Sequence, residues 1–330
     1  MPKTARLQTP PRLPPPAPAV SGNVVVFGET LTQAESPLAT PCGAPFNITC
    51  HLAALGAKPL LVTRVGKDEA GMHLREDMHN RGLDPRGVQY DPSHPTGRIA
   101  IETRSAGPHV ELPPEQAYDH IHPGMARMAG LAAKPAWIVF GTLAQRGESA
   151  RALRELLAAS RARAFLDLNL CDPWADRDTL VWSLQQASVV KMRRYEFNRL
   201  SRIFCPDTGQ DTARARSLLQ SFRLERVIVQ ECGRPAWTLD AQARIDSPDP
   251  TPADIHSGSD LFTAVCIIGL MRGWPLPDLL RRAGSMAGAL QTQASALPAD
   301  SSFYVPYLRA WKNRSDSGAQ AVPTLHTGAS

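Results

Sequence analysis

The chain has no CxxC pair. Its six cysteines (Cys42, Cys50, Cys171, Cys205, Cys232 and Cys266) are dispersed and lack a matching histidine spacing, which argues against a zinc cage or a secreted disulfide framework and for reduced cytosolic thiols. No long basic run and no basic patch interleaved with aromatics is present, so the formal charge of +5 comes mostly from arginines scattered through helical stretches, and nucleic acid is not the expected partner. The longest apolar run, near residues 261–270, is far too short to span a bilayer, and Lys3 and Arg6 lead into prolines instead of an apolar signal segment. The expectation is a soluble, cytoplasmic protein without membrane association. No internal repeat is visible. The first strand leads to Gly28-Glu29 without a glycine-rich turn to cradle a pyrophosphate, which disfavours a dinucleotide-dependent oxidoreductase.

What is present is an α/β pattern. The 330 residues allow one large domain, or one domain with a small appendage. Residues 1–21 are dominated by proline (Pro10-Pro11, Pro14-Pro15-Pro16, Pro18) and residues 313–330 by small and polar types, so both ends are expected to be disordered tails around a domain at 22–312. Between them, short apolar runs at 24–27, 60–65, 137–140, 164–168, 188–191 and 226–229 read as buried strands. They alternate with helical patterns at 46–55, 70–81, 149–160 and 212–222, closed in two cases by Gly56 and Gly82. This alternation argues for a parallel sheet covered by helices. Residues 98–103 alternate beside proline and glycine turns and suit an exposed strand pair projecting from the sheet.

The segment Asp254-Ile255-His256-Ser257-Gly258-Ser259-Asp260-Leu261-Phe262 ends a polar turn in a carboxylate and opens an apolar helix. Backbone N–H groups at a helix start carry partial positive charge, so a phosphoryl group can lodge there while Asp260 takes a proton from an attacking hydroxyl. The same residues also suit an ordinary N-capping turn.

In chain order, Phe27-Gly28-Glu29, Cys42-Gly43-Ala44-Pro45-Phe46-Asn47, Arg64-Val65-Gly66-Lys67-Asp68-Glu69-Ala70-Gly71, Phe140-Gly141-Thr142-Leu143-Ala144-Gln145-Arg146 and Asp167-Leu168-Asn169-Leu170-Cys171-Asp172-Pro173-Trp174 precede the Asp260 turn and Phe303-Tyr304-Val305-Pro306-Tyr307-Leu308. Over roughly residues 23–311 this series resembles the PfkB (ribokinase-like) carbohydrate kinases, the fructokinase branch most closely. The resemblance implies a doubly wound α/β sheet flanked by helices, with a small β lid whose strands come from near 31–41 and 96–112. It also implies ATP and Mg2+ as cofactors and a sugar as substrate; oligomeric state stays open, related kinases often pairing through their lids.

Carried over residue by residue, the resemblance makes Asp260 the base and Ser257, Gly258 and Ser259 the anion hole. Gln33, Gly43, Asn47, Asp167 and Asn169 become sugar contacts, Lys191, Arg193, Cys232 and His256 nucleotide contacts, and Glu196 the acid that helps hold Mg2+ through water. Each residue has another reading: Gly43 could simply make a turn, Asn47 cap a helix, Gly66-Lys67-Asp68 form a solvated turn, Glu196 be solvated, and His256 and Arg193 lie on the surface.

The sequence also departs from the family pattern. Ser257-Gly258-Ser259-Asp260 stands where Gly-Ala-Gly-Asp is usual, Gln33 where the lid has Asp, Cys171 where Arg is expected, Arg193 where the Asn-x-x-Glu motif has Asn, and Cys232 where Gly is expected. A Cβ at a position needing positive φ or close approach of phosphate costs on the order of 1–2 kcal/mol, while a serine hydroxyl could compensate by donating to phosphate. Two readings follow: an ATP-dependent sugar kinase acting on fructose or a related sugar, with altered preference and reduced activity, or a catalytically impaired member that binds a sugar, a nucleotide or a protein partner.

Overall fold

The computed structural model describes residues 22–33, 41–104, 107–170, 175–206, 209–251, 258–291 and 295–313. The expected tails, apart from Asn313, and the site residues His256, Ser257 and Cys171 lie outside the described residues.

In chain order the first half contains β1 (Asn23–Phe27), β2 (Leu31–Gln33), α1 (Ala44–Ala54), β3 (Lys58–Gly66), α2 (Glu69–Asn80), β4 (Val88–Asp91), β5 (Gly97–Arg104), β6 (Gly107–Glu111), α3 (Pro123–Ala133), β7 (Pro135–Phe140) and α4 (Gly147–Ala158). The second half contains β8 (Arg163–Asp167), α5 (Arg177–Gln186), β9 (Val189–Arg193), α6 (Arg194–Phe204), α7 (Asp211–Phe222), β10 (Arg226–Gln230), β11 (Pro235–Asp240), β12 (Arg244–Pro250), α8 (Ser259–Met271), α9 (Leu276–Gln291) and α10 (Val305–Asn313).

Nine strands form one sheet in the order β12-β11-β10-β9-β8-β7-β1-β3-β4. Every pairing from β10 across to β4 is parallel, and β11 and β12 add an antiparallel edge. Side chains alternate across a strand, and β1 shows the result: Val24 and Val26 belong to one apolar layer, Val25 and Phe27 to the other. The first layer includes α8 and α9, the second α4 and α7. With both faces covered, β1 reads as a continuous apolar run, the pattern of a parallel central strand.

The chain leaves β1 toward β3 on one side and resumes at β7 on the other, which puts the reversal of strand order beside β1. In an open α/β sheet the crevice at such a reversal, outside the carboxyl ends of the strands, is where ligands bind. Gly28 and Glu29, Gly141, Asn169 and Arg193 all stand at that edge.

A second sheet of three strands, β2-β5-β6, stands apart from the large one. β2 pairs with β5 in parallel and β5 with β6 antiparallel. Several elements lie outside the sequence-derived alternation, among them α3, β11 and β12. α3 is rich in alanine and glycine and starts at Pro123, so it carries little apolar periodicity. β11 and β12 form the edge, and β12, with Pro248 and Pro250, reads as a loop; an edge strand tolerates proline because one side of its backbone needs no partner.

Candidate active site

Helix α8 is apolar all round: Leu261, Phe262, Ala264, Val265, Cys266, Ile267 and Ile268 are fully buried. Such a helix is held on every side by core, and burying each of its larger side chains contributes about 1.5–3 kcal/mol. Its first turn is therefore a rigid platform. Gly258 is the N-cap and brings no side chain of its own, no side-chain cap is made among the described residues, and Asp260 sits in the first turn. The first-turn amides point their partial positive charge outward, with no side-chain acceptor among the described residues.

Gly258 has φ of −89°, so its need for glycine is steric. A Cβ there would lie 2.5 Å from the Ala287 carbonyl oxygen, with the rest of the Ala287 backbone close behind. Gly43, the N-cap of α1, has φ of 108°, in the left-handed region that favours glycine, and its Cα faces the Glu29 carbonyl, 3.1 Å from where a Cβ would stand. It sets α1 so that buried Asn47 reaches Asp260: Asn47 Nδ2 donates to Asp260 Oδ2 at 2.8 Å. Burial and then the nearby Asp167 push the Asp260 carboxyl above the usual range, against the pull of Asn47, Lys191 and Arg193.

Beneath this turn runs a buried polar chain. Lys191 Nζ, on β9 and 1 % exposed, donates to Asp167 Oδ1 at 3.1 Å and to Ser259 Oγ at 2.7 Å. Ser259 Oγ in turn donates to Gln230 Oε1 at 3.1 Å, and Thr263 Oγ1 donates to Asp167 Oδ2 at 2.9 Å. This changes three expectations. The Ser259 proton goes to Gln230, so its hydroxyl does not compensate for a lost glycine by donating to phosphate; nor is its backbone strained, since among the described non-glycine residues only Glu115, Lys134, Asn169 and Arg223 have positive φ. Lys191, expected at the nucleotide, is here a buried counter-charge to Asp167. Asp167, expected at the sugar, has each oxygen held by a protein donor and raises the pKa of the neighbouring Asp260.

Glu196 is likewise engaged by the protein. It is neither solvated nor open to a metal, being fully buried. Its Oε1 accepts from the Leu170 N–H at 2.9 Å, from Arg193 Nη2 at 3.1 Å and from the Tyr195 hydroxyl at 3.2 Å, and its Oε2 accepts from the Arg193 N–H at 2.7 Å. Burial pushes this carboxyl up, but Arg193 and Lys191 outweigh it and hold it below its usual value. Both oxygens already accept from protein donors, so in this arrangement Glu196 offers Mg2+ no oxygen free of a protein donor.

Arg193 Nη2 also donates to Asn169 Oδ1 at 3.0 Å and to the Tyr195 hydroxyl, and the guanidinium lies over the Tyr195 ring at 4.8 Å. Burial works against its charge, yet Glu196 holds its pKa above the ordinary arginine value. Asn169 has φ of 38°, a left-handed turn that asparagine tolerates, and it carries the chain off the end of β8. Gln33 is exposed at the end of β2, and Cys232 is exposed just beyond β10.

Glu29 is a site residue that sequence reasoning quoted in a motif but gave no role. It is 3 % exposed, and burial, reinforced by Asp260, raises its pKa to about 8, so it is protonated at neutral pH. With Asp167, Asn169 and Pro45 it lines a cavity of about 10 Å³, room for a single water. The signal for it was its place immediately after the central strand, at the carboxyl edge.

Comparison with known proteins follows the same line. Fructokinase-1 of Oryza sativa is 25 % identical over 252 residues, covering 73 % of this chain and 77 % of that protein. The 5-dehydro-2-deoxygluconokinase of Clostridium beijerinckii is 21 % identical over 295 residues, covering 82 % and 84 %. Among solved structures, fructokinase from Xylella fastidiosa with bound ATP superposes with a TM-score of 0.72 at 17 % identity, covering 88 % of this chain and 99 % of that one. Fructokinase from Vibrio cholerae with fructose, ADP and calcium bound gives 0.69 at 17 %, covering 87 % and 99 %. The sequence model of one family, described as pfkB family carbohydrate kinase, matches residues 18–301 and so takes in the central sheet, the three-stranded sheet and the start of α8; the chain belongs to the pfkB family of carbohydrate kinases.

Proposed function

We propose that the protein transfers the terminal phosphoryl group of ATP to a hydroxyl of fructose or a related sugar, with Asp260 as the general base. The observation that carries this reading is a carboxylate in the first turn of a helix capped by a glycine, oriented by Asn47. The two features serve the two ends of one reaction. Asp260 takes the proton of the attacking hydroxyl, and the Gly258, Ser259 and Asp260 amides stabilise negative charge on the transferring group. A carboxyl pKa raised by burial makes Asp260 a stronger base than a solvated aspartate. Bound ATP in the Xylella fastidiosa fructokinase and bound fructose and ADP in the Vibrio cholerae one support these substrate classes.

Arg193 takes a further part: its cationic guanidinium stands at the end of β9, at the carboxyl edge, and suits a phosphate oxygen. The Mg2+ that accompanies ATP belongs to that substrate, held by phosphate oxygens and water. Protonated Glu29 can donate a hydrogen bond to a sugar hydroxyl. The sheet β2-β5-β6 acts as the lid over the sugar, with Gln33 at the end of its first strand, and pairs two copies if the protein dimerises.

The sealed Glu196 and the committed Ser259 hydroxyl favour a second reading, binding of sugar and nucleotide without transfer. ADP release measured with ATP, Mg2+ and a panel of hexoses separates the two. Sugar-dependent release in the wild type and its loss in Asp260→Asn, at an unchanged thermal midpoint, is the expected result. Calorimetric binding of both ligands with no release in the wild type selects the second reading, and equal rates in wild type and variant remove Asp260 from the mechanism.

A further inference from the structure

We propose that His94, Glu115 and His120 form a binding site for a borderline divalent transition ion such as Zn2+, clipping together the two ends of the β5–β6 hairpin. One ligand atom from each of the three lies within 4.8 Å of the others. Glu115 Oε2 stands 3.7 Å from His94 Nε2 and 3.2 Å from His120 Nε2. In a tetrahedral site with bonds of about 2.0–2.1 Å, neighbouring ligand atoms are separated by about 3.3 Å. The carboxylate is therefore already near ligand spacing from both imidazoles.

The two rings stack with centroids 3.6 Å apart and 13° between their planes. Rings held face to face carry their in-plane lone pairs in parallel, so one ring turns about its Cβ–Cγ bond for both to meet a single ion. His94 also has an outer partner of the kind that fixes a metal-binding histidine. Asp91, buried at the end of β4, places Oδ1 3.2 Å from His94 Nδ1 and accepts from the Ser93 and His94 backbone N–H groups. This arrangement puts the proton on Nδ1 and leaves Nε2 facing Glu115.

Arg64 is the other charge at the site: its Nε pairs with Asp91 Oδ2 at 2.9 Å, and its Nη1 donates to the His120 carbonyl oxygen at 2.6 Å. It offsets Asp91 and leaves the Glu115 charge for the ion. Glu115 holds φ of 57°, a backbone state that costs a non-glycine residue energy and persists only where surroundings fix it. Two imidazoles and one carboxylate suit zinc, while the hard ions Mg2+ and Ca2+ prefer all-oxygen sets.

Chain position gives the site its consequence. His94 comes shortly before β5 begins at Gly97, and Glu115 and His120 follow β6, which ends at Glu111. An ion here ties both legs of the hairpin and restrains the small sheet against the large one. None of the three residues belongs to the phosphoryl-transfer site, so the inference is independent of that reading.

The test is calorimetric titration of chelator-treated, full-length protein with ZnCl2, beside the optical spectrum of the Co2+ form. The expected result is one ion per chain, a Co2+ spectrum without thiolate bands, and a thermal midpoint raised by about 5 °C or more at a hundred-fold excess over Kd. His94→Ala and His120→Ala should each weaken binding by roughly ten-fold or more. Glu115→Gln, at a side chain 75 % exposed, keeps the test decisive if a histidine variant fails to fold, and it should weaken binding likewise. No binding at 100-fold molar excess of Zn2+, thiolate bands in the Co2+ spectrum, or wild-type affinity in all three variants would overturn the proposal.

Discussion

Asn47 Nδ2 donates to Asp260 Oδ2 across 2.8 Å and so joins α1 to α8 through residues 213 positions apart. The contact orients the carboxylate and opposes the burial that favours its protonated form. A general base must be ionised to act, so with Asp260 in the proposed role this amide should set how far into the acid range turnover extends.

Asn47→Leu removes the donor. The Asp260 pKa then rises further, and the acid limb of the pH profile of kcat/KM moves to higher pH. A hydrogen bond to a charged group contributes about 1.5–3 kcal/mol, so kcat/KM at neutral pH should fall by roughly 10- to 100-fold and recover in part at alkaline pH. A limb that stays in place would leave Asn47 with a packing role alone.

Glu196→Gln separates an internal anchor from a metal ligand. Its oxygens accept from Leu170, Arg193 and Tyr195, so the variant should lose about 1.5–3 kcal/mol of stability and several degrees in Tm. The Mg2+ concentration giving half-maximal turnover should stay within about two-fold of wild type. A ten-fold rise in that concentration, about 1.4 kcal/mol, would return Glu196 to the metal.

Stability should respond to pH in opposite senses at two buried groups. Burial lowers the His51 pKa from 6.5 to about 3; the neutral ring is bound by the Tyr304 hydroxyl at 2.7 Å and the Ala296 carbonyl at 3.1 Å. A depressed folded-state pKa means that the stability is present above pH 6.5 and is lost as pH falls toward 3, at up to about 1.4 kcal/mol per pH unit. Glu29 is raised from 4.5 to about 8, so its contribution is full below pH 4.5 and lost as pH rises through 8. The two slopes oppose each other between 4.5 and 6.5. Urea unfolding across this range should show His51→Gln losing the acid-side slope and Glu29→Gln losing the slope toward alkaline pH; variants whose curves run parallel to wild type would refute both assignments.

Local chemistry made much of the fold legible. The apolar run of β1, the glycine stops after α1 and α2, and the polar turn before the apolar α8 each carry their own signal, because strand burial, helix termination and capping depend on neighbours within a few residues. Elements whose stability comes from position escaped. β12 holds prolines that only an edge permits, and α3 has an alanine- and glycine-rich face with little periodicity.

The site divides the same way. From sequence alone, Asp260 stood at a helix start and Gly258 beside it. Which oxygens stayed available to a ligand was decided by tertiary structure. Lys191 was claimed by Asp167 and Ser259, Glu196 by Arg193 and Leu170, and Asn47 by Asp260. Residue type sets what a side chain can donate or accept, but a hydrogen bond forms only within about 3 Å. For pairs as distant in sequence as Lys191 and Ser259, that distance exists only after the sheet and its covering helices have packed.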